Sequence, residues 1–470
     1  MPTRTDRPKV SLIKSVGITL ALLILGTAVL LLWTRGAAEP ETARKPLAPR
    51  IEPPLISLEL DGLSAETQTG LLRETAAQLA HRLVMAFPRT AEAHMLQGNT
   101  FRQLGQSAQA LACWQEALAL APRRPDAYTY MAILAEEKGE SAQALAHWEK
   151  VLALEPDHAG VRDSLAHTLM GLNRRDAAIE FLREELTLSP RSARTHYLLG
   201  QAHLREKRFP EAIDYFEKTL VLDPNFSQAT YELATALVRS GRSQEAQLYR
   251  DKFQKRNKRQ KKKDLYGFTA QDDLRKAKQS LASLATAAAG LYQAAGRNLT
   301  GLALLEEAVA LDPENLERRK RLAARYQALG RPQEALGQCE RIADLQPNDA
   351  TCQMLIGSLN LQLGRHRQAE SAFQRMVSLA PGQAYGYREL ARLHLTTNNN
   401  LKQARTWAQQ AVTLEPSAPN YYVLGLVYHR MGDASAALQA LQQALQKDPG
   451  NQAYQESYRQ MSLDRKHESN

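Results

Sequence analysis

The sequence predicts an all-α solenoid of stacked helical hairpins, and three observations support this fold class. A proline recurs every 34 residues from Pro88 to Pro224, and the spacing returns from Pro313 to Pro449 with slips of one residue. Two positions of every unit hold only small residues. A glycine stands between them in most units. Self-similarity at this period is typical of repeat architectures, in which each unit packs on its neighbours. We therefore expect an elongated array rather than one globular core.

Each unit reads as helix, turn, helix and stop. If the prolines are position 32, the first complete repeat is 91–124, with small residues at positions 8 and 20 (Gly98 and Ala110). Small residues allow two helix axes to approach closely. Position 15 is glycine in seven units (Gly105 in the first), and glycine readily takes the left-handed conformation that ends a helix. The proline then ends the second helix.

This pattern resembles that of the tetratricopeptide repeat (TPR) family, which is made of helical hairpins 34 residues long. Two units match the family's motif closely: Leu199-Gly200, Ala212, Phe216 and Pro224 in the fourth, and Leu424-Gly425, Tyr428, Ala437 and Pro449 in the tenth. The resemblance covers 64–451. It implies a right-handed superhelix of antiparallel helix pairs whose grooves bind segments of other proteins.

The N-terminus predicts a membrane anchor. Residues 16–33 are 18 uncharged, mostly apolar residues, enough to span a bilayer as a helix. We expect 1–15 to be a cytoplasmic tail, 34–63 a proline-rich stalk and the repeats to lie outside the cytoplasm, in the periplasm of a bacterium. The alternative is a signal peptide cleaved near Ala38, which would leave a secreted or periplasmic protein.

The repeats divide into two arrays of five. A half-repeat at 64–90 precedes the first array (91–256), and a C-terminal cap and tail (452–470) follow the second (282–451). Between them, position 32 of the fifth repeat is Lys258 instead of proline. The second helix therefore has no stop signal, and we expect a basic joint over 257–281 with the next helix starting near Gln271.

The net charge of +10 is localised. The run 252–263 holds eight basic and no acidic side chains: Lys252, Lys255, Arg256, Lys258, Arg259, Lys261, Lys262 and Lys263. A solvated helix extension is one interpretation. Contact with an anionic membrane surface or an acidic partner is the other. Without this run and the N-terminal segment, the chain is near neutral, so a nucleic-acid-binding face is not supported.

The sequence contains no reaction motif, such as a P-loop, His-Glu-x-x-His or Gly-x-Ser-x-Gly. His196 and His203 occupy packing positions about 10 Å apart along one helix, too far to share a metal. We expect no enzyme activity, no cofactor and no metal.

The family's groove positions are 2, 5, 6, 9, 12 and 13 of each repeat. Transferred to this chain, they give a hypothetical partner-binding set that mixes tyrosines with arginines, the composition of binding hot spots. The set is Asn99, Tyr130, His167, Arg194, Tyr197, Gln201, Tyr231, Arg239, Arg388, Arg392 and Tyr422. Of the family's carboxylate clamp for chaperone tails, Asn99 is the one suggestive residue, so a chaperone receptor is not favoured.

These observations favour a membrane-tethered scaffold or adaptor without enzyme activity, which binds peptide or helical segments of partner proteins. One alternative is a structural subunit of a secretion, cell-wall or polysaccharide-export complex of the envelope. An accessory subunit of a separate enzyme is a further alternative.

Overall fold

The hairpins form because one residue of each turn adopts a left-handed backbone. Gly105 and Gly139 both have φ of 75°. Asn173, Lys207 and Asn398 stand at the same repeat position and have φ of 61°, 62° and 52°. The predicted turn position is thus confirmed, including at a lysine, for which this conformation is unfavourable.

The computed structural model describes residues 59–265, 269–398 and 400–468, with side chains omitted for 259–265 and 464–468. These residues belong to one compact unit, and all regular elements among them are helices, as the sequence predicts. In chain order the helices are α1 (Ala65–Ala86), α2 (Ala91–Gln103), α3 (Ser107–Leu120), α4 (Pro125–Glu137), α5 (Ser141–Leu154), α6 (Val161–Gly171), α7 (Arg175–Leu188), α8 (Ala193–Arg205), α9 (Phe209–Leu222), α10 (Ser227–Arg239), α11 (Ser243–Leu265), α12 (Ala270–Ala294), α13 (Asn298–Leu311), α14 (Leu316–Ala328), α15 (Pro332–Leu345), α16 (Ala350–Gln362), α17 (His366–Leu379), α18 (Ala384–Thr396), α19 (Leu401–Leu414), α20 (Ala418–Arg430), α21 (Ala434–Lys447) and α22 (Gln452–Glu468).

The small residues at position 8 make room for aromatic rings of the same repeat. A Cβ added to Gly200 would lie 2.6 Å from the ring of Phe216, and one added to Gly98 would lie 2.5 Å from the indole of Trp114. Both rings are fully buried. The two helices of these hairpins therefore approach so closely that glycine is required beside the ring.

Helix α11 differs from the other second helices because no proline ends it. Helix α3 ends at Leu120, two residues before Pro122, whereas α11 continues to Leu265. The predicted joint at 257–281 is therefore not a separate connector. Residues 257–265 complete α11, and 270–281 form the first turns of α12, which begins with a capping box between Thr269 and Asp272.

Helix α1 packs on both arrays, which the sequence did not predict. It contacts α2, as a preceding half-repeat should, and it packs even more extensively along α12. Leu72, Leu79 and Leu83 of α1 are fully buried in one core cluster with Leu281 and other residues of α12 to α16. The first helix of the described part of the chain thus packs against the start of the second array as well as the start of the first.

Helices α1 and α12 run parallel. Arg73 and Lys276, near their N-termini, line the same cleft. At their other ends, the rings of Phe87 and Tyr292 meet edge to face at 5.0 Å. The half-repeat at 64–90 therefore belongs to both arrays, and not to the first alone.

The described helices include none that is long and apolar enough to cross a membrane. The predicted anchor at 16–33, the tail at 1–15 and most of the predicted stalk lie outside the described residues. At the other end, α22 continues to Glu468, so the region after the last repeat is one helix through most of its length.

Candidate functional site

The predicted groove residues lie on the first helices of their repeats, where the repeat pattern places them. Some are exposed, and others are held by buried neighbours. Several of them contact each other directly or contact the same third side chain, so they form several local clusters along the arrays rather than one site.

Asn99 and Tyr130 form the first cluster, on either side of a buried indole. The Nε1 of Trp114 donates to Asn99 Oδ1 at 3.1 Å. Tyr130 stacks on Trp114 with ring centroids 5.5 Å apart, and the guanidinium of Arg102 lies 5.8 Å from the Tyr130 centroid. The side-chain oxygen of Asn99 is therefore occupied by the buried indole, whereas Tyr130 and Arg102 form a half-buried aromatic–cation pair.

His167 and Arg194 lie on consecutive repeats, and both are exposed. The Arg194 side chain is 61% exposed, and its Nε lies 3.9 Å from Oδ2 of Asp163. Asp163 itself is buried, and burial, reinforced by the nearby Glu185, raises its pKa to about 6. Arg194 is therefore largely exposed and makes only a long contact with this carboxylate.

Tyr197 and Gln201 form a second cluster on α8. Gln201 donates to the Tyr197 hydroxyl at 2.7 Å, and the Tyr197 ring lies 4.8 Å from that of Phe226. Burial raises the pKa of Tyr197 to about 12. The Tyr197 ring is therefore held in place by packing on the first array, with Gln201 as the adjacent polar group.

Tyr231 and Arg239 belong to α10 and are both exposed. The Tyr231 side chain keeps 54% exposure although its ring lies 5.3 Å from Phe253. An aromatic ring that is exposed on one face and supported on the other loses little conformational entropy when a ligand covers it.

The second array holds the most organised cluster, around Arg388 and Arg392. The Arg388 guanidinium lies 4.8 Å from the centroid of Tyr385, and its Nε donates to Glu389 Oε1 at 3.2 Å. Arg392 forms an ion pair with the same carboxylate at 2.6 Å. The Arg388 Nη1 also donates to Asn420 Oδ1 at 3.5 Å.

Glu389 and Asn420 were not among the predicted site residues, although they orient the predicted arginines. Both are buried, with 4% and 0% exposure. The signal for Glu389 was present in the sequence, because it stands at a groove position directly after Arg388. Asn420 gave no such signal, since it stands at position 3 of the next repeat.

Tyr422 is partly covered by the last helix. Its ring lies 4.6 Å from that of Tyr454, and its hydroxyl lies 3.2 Å from Ser457 Oγ. Helix α22 therefore continues the array as a further first helix would, and Tyr422 contributes mainly to that contact.

The described part of the basic run contains exposed lysines and a partly buried arginine. Lys252, Lys255 and Lys258 are exposed, whereas Arg256 donates to the Pro224 carbonyl at 2.9 Å. Lys252 and Arg256 also line an open cavity of about 430 Å³ with Val221, which is 81% exposed. The side chains of Arg259, Lys261, Lys262 and Lys263 lie outside the described residues.

Within the described ranges, no group of three or more His, Cys, Asp and Glu side chains could hold a metal ion. His203 is buried and stacks on Tyr215 at 5.5 Å. Burial lowers its pKa. The imidazole is therefore part of the packing between α8 and α9.

Four family models match the chain, with the descriptions "Tetratricopeptide repeat" or "TPR repeat". They match residues 98–139, 164–225, 287–359, 354–419 and 418–451, which together make up more than half of the chain. No curated protein matches.

Several solved structures also match the chain. MamA from Desulfovibrio magneticus RS-1 is 22% identical and covers 36% of this chain and 96% of its own, with a TM-score of 0.34. The Cut9 and Hcn1 hetero-tetramer of the APC/C gives 15% identity, coverage of 81% and 92%, and a TM-score of 0.33. Yeast Tom70 gives 16% identity, coverage of 80% and 88%, and a TM-score of 0.31. Each of these likenesses concerns the fold alone.

Proposed function

Since the chain belongs to the tetratricopeptide repeat family, we propose that it is a non-enzymatic scaffold that binds extended or helical segments of partner proteins. The observation that carries this proposal is a pairing of arginine with tyrosine at the predicted groove positions of both arrays. Arg102 lies 5.8 Å from the Tyr130 centroid, and Arg388 lies 4.8 Å from that of Tyr385. Rigid aromatic surface beside a guanidinium is the combination enriched at binding hot spots.

The test is site-specific photocrosslinking of the full-length protein in its own cells. A photoreactive amino acid replaces His167, which is exposed on the first helix α6, and Lys150 on the second helix α5 serves as the exposed control. We expect crosslinks to other proteins from position 167 and few from 150. Equal yields at both positions would show that the first-helix face is not a binding surface.

A structural subunit of an envelope complex is the second candidate. The shared core of α1 and α12 favours it, because that core joins the two arrays into one packed unit suited to a rigid spacer. The same crosslinking experiment separates the two functions. A scaffold gives several partners, each at a fraction of the protein's own amount, whereas a structural subunit gives one partner at a fixed ratio.

The proposed location is outside the cytoplasm, tethered by residues 16–33. The support is the uncharged stretch itself, which is long enough to span a bilayer. Alkaline carbonate extraction tests the tether, and protease added to intact spheroplasts tests the side. Release of the protein by carbonate would contradict the membrane tether. Cleavage of the protein only after lysis would contradict a location outside the cytoplasm.

The basic run 252–263 is proposed to contact an anionic lipid surface. Lys252, Lys255 and Lys258 are exposed along α11, and each basic residue near a charged bilayer contributes about 1 kcal/mol. The test compares the full-length protein with a variant in which these three lysines are changed to glutamine. Hydrogen exchange of α11 is measured for both proteins in phosphatidylcholine bilayers, with and without phosphatidylglycerol. Protection of α11 that requires the anionic lipid and the lysines supports the contact. Equal exchange in all four samples excludes it.

A further inference from the structure

The two arrays differ in charge at the same repeat positions. The groove positions of the first array hold four basic and six acidic residues, whereas those of the second hold five basic and two acidic residues. Because equivalent positions are compared, this difference does not come from the N-terminus or from the run 252–263. The second array therefore has a surplus of positive charge on its first helices.

Two of the four groove arginines of the first array face acidic groups of their own array. Arg102 lies 4.0 Å from Glu137, and Arg194 lies 3.9 Å from Asp163. Both contacts pair one guanidinium with one carboxylate. Both guanidiniums thus already have an acidic neighbour, and acidic groove residues outnumber basic ones on this array, so an acidic partner would gain little from it.

In the second array, one buried carboxylate serves two guanidiniums. Glu389 is 4% exposed and pairs with both Arg388 and Arg392. Arg388 is held further by the Tyr385 ring and by Asn420, while the Arg392 side chain keeps 55% exposure. The trio carries one net positive charge, and its arginines are oriented before any partner arrives.

Arg430 adds a second positive charge on the adjacent helix α20. It is exposed, and its Nε donates at 3.5 Å to Oδ1 of Asn398, which is a neutral amide. Arg388, Arg392 and Arg430 thus define an arginine cluster over two neighbouring first helices. A guanidinium with a neutral or shared partner retains capacity for a carboxylate ligand.

The helix on the other side of the cluster is uncharged. Helix α16 (Ala350–Gln362) contains no Asp, Glu, Lys or Arg, and its groove positions include the partly exposed Met354, Leu355 and Leu361. The Ser358 hydroxyl lies 3.2 Å from that of Tyr385, which joins this face to the arginine cluster. An apolar strip and a basic strip therefore run side by side.

We propose that the face formed by α16, α18 and α20 binds an acidic amphipathic segment of a partner protein. The apolar side of that segment contacts Met354, Leu355 and Leu361, and its carboxylates contact Arg392 and Arg430. This inference rests on the proposed scaffold function and specifies the chemistry of one class of partner. Charge complementarity selects such a segment over a neutral or basic one of equal hydrophobicity.

The test measures peptide binding by the full-length protein with fluorescence anisotropy. The probes are three fluorescein-labelled amphipathic peptides with the same leucine positions and with Glu, Gln or Lys at the polar positions. The test variant combines Arg392→Gln with Arg430→Gln. The matched control combines Arg367→Gln with Arg405→Gln, two exposed arginines on second helices of the same array, outside the predicted groove positions.

We expect the Glu peptide to bind most tightly and to lose about tenfold or more in affinity in the test variant, since that variant removes two donors of charge-assisted hydrogen bonds. Its affinity should be unchanged in the control variant and should fall with salt. Equal loss in both variants, equal binding of the Gln peptide, or no binding of the Glu peptide would each overturn the inference. Those outcomes leave the scaffold proposal to the crosslinking experiment, which uses the other array and does not depend on acidic partners.

Discussion

Phe87 and Tyr292 meet edge to face with their ring centroids 5.0 Å apart, although they belong to the helices that open two different arrays. The contact lies at the C-terminal ends of α1 and α12. Fully buried leucines continue it along both helices. Each array therefore begins on the same pair of parallel helices.

Leu79→Ala is expected to destabilise both arrays, because Leu79 is fully buried in the core that α1 shares with α12. Truncation of a buried leucine costs about 2–5 kcal/mol. Hydrogen exchange should therefore show faster exchange in α2 and in α12 to α14. The control is Leu441→Ala, another fully buried leucine in the last repeat, which should accelerate exchange in α20 to α22 only. Faster exchange in one array alone after Leu79→Ala would mean that the two arrays unfold independently.

The sequence predicts the hairpins well because their determinants are local. A turn residue such as Gly105 and a stop residue such as Pro122 act within a few residues of their own position. The pairing of α1 with α12 is not local. Alanine and leucine faces of this kind fit many partners, and the missing proline at Lys258 indicated only that the regular stacking ends there.

The candidate site was predictable to a similar extent. Repeat positions place Arg388 and Arg392 on one first helix, as the resemblance implies. Repeat positions do not indicate which neighbouring group within the protein each side chain contacts. Asn99 turned out to accept from the buried Trp114, and Tyr422 to pack under α22, because those contacts depend on the rotamers and neighbours of a particular repeat.

Gly200→Ala is expected to destabilise the fourth repeat by about 1–3 kcal/mol, the usual cost of overpacking. The added Cβ would lie 2.6 Å from the buried ring of Phe216. Phe216→Leu made in the same chain should recover part of the loss, because it removes the ring atoms that clash. Urea unfolding of the two single variants and the double variant gives the coupling free energy between positions 200 and 216. Strict additivity would show that the repeat accommodates the methyl group by moving the helices apart.

Lys207→Gly is expected to stabilise the protein, whereas most glycine substitutions in a helical protein destabilise it. Lys207 has φ of 62° at a turn where most other repeats have glycine, and a left-handed backbone costs a residue with a Cβ about 1 kcal/mol. Lys150→Gly is the matched control, since Lys150 is exposed within α5 and should lose about 1 kcal/mol. Thermal unfolding should therefore shift in opposite directions for the two variants. Shifts of the same sign would contradict the strain at Lys207.

Asp163→Asn is expected to stabilise the protein at neutral pH and to have little effect in acid. Burial raises the pKa of Asp163 from its ordinary value of 3.8 to about 6, so the native state binds a proton more tightly than the unfolded state does. Stability from this group is complete below about pH 4 and is lost as the pH rises to about 6. At pH 7.5 the buried carboxylate therefore costs on the order of 2–3 kcal/mol, which the neutral amide avoids.

Urea unfolding at pH 4 and at pH 7.5 measures this difference. The stabilisation by Asp163→Asn should appear at pH 7.5 only, and the exposed Asp157→Asn should change little at either pH. Arg194 provides a check on the cause, because its Nε lies 3.9 Å from the Asp163 carboxylate. If Arg194 and not burial decided the charge state of Asp163, removing the carboxylate would break an ion pair. Asp163→Asn would then destabilise the protein at pH 7.5, which is the opposite sign.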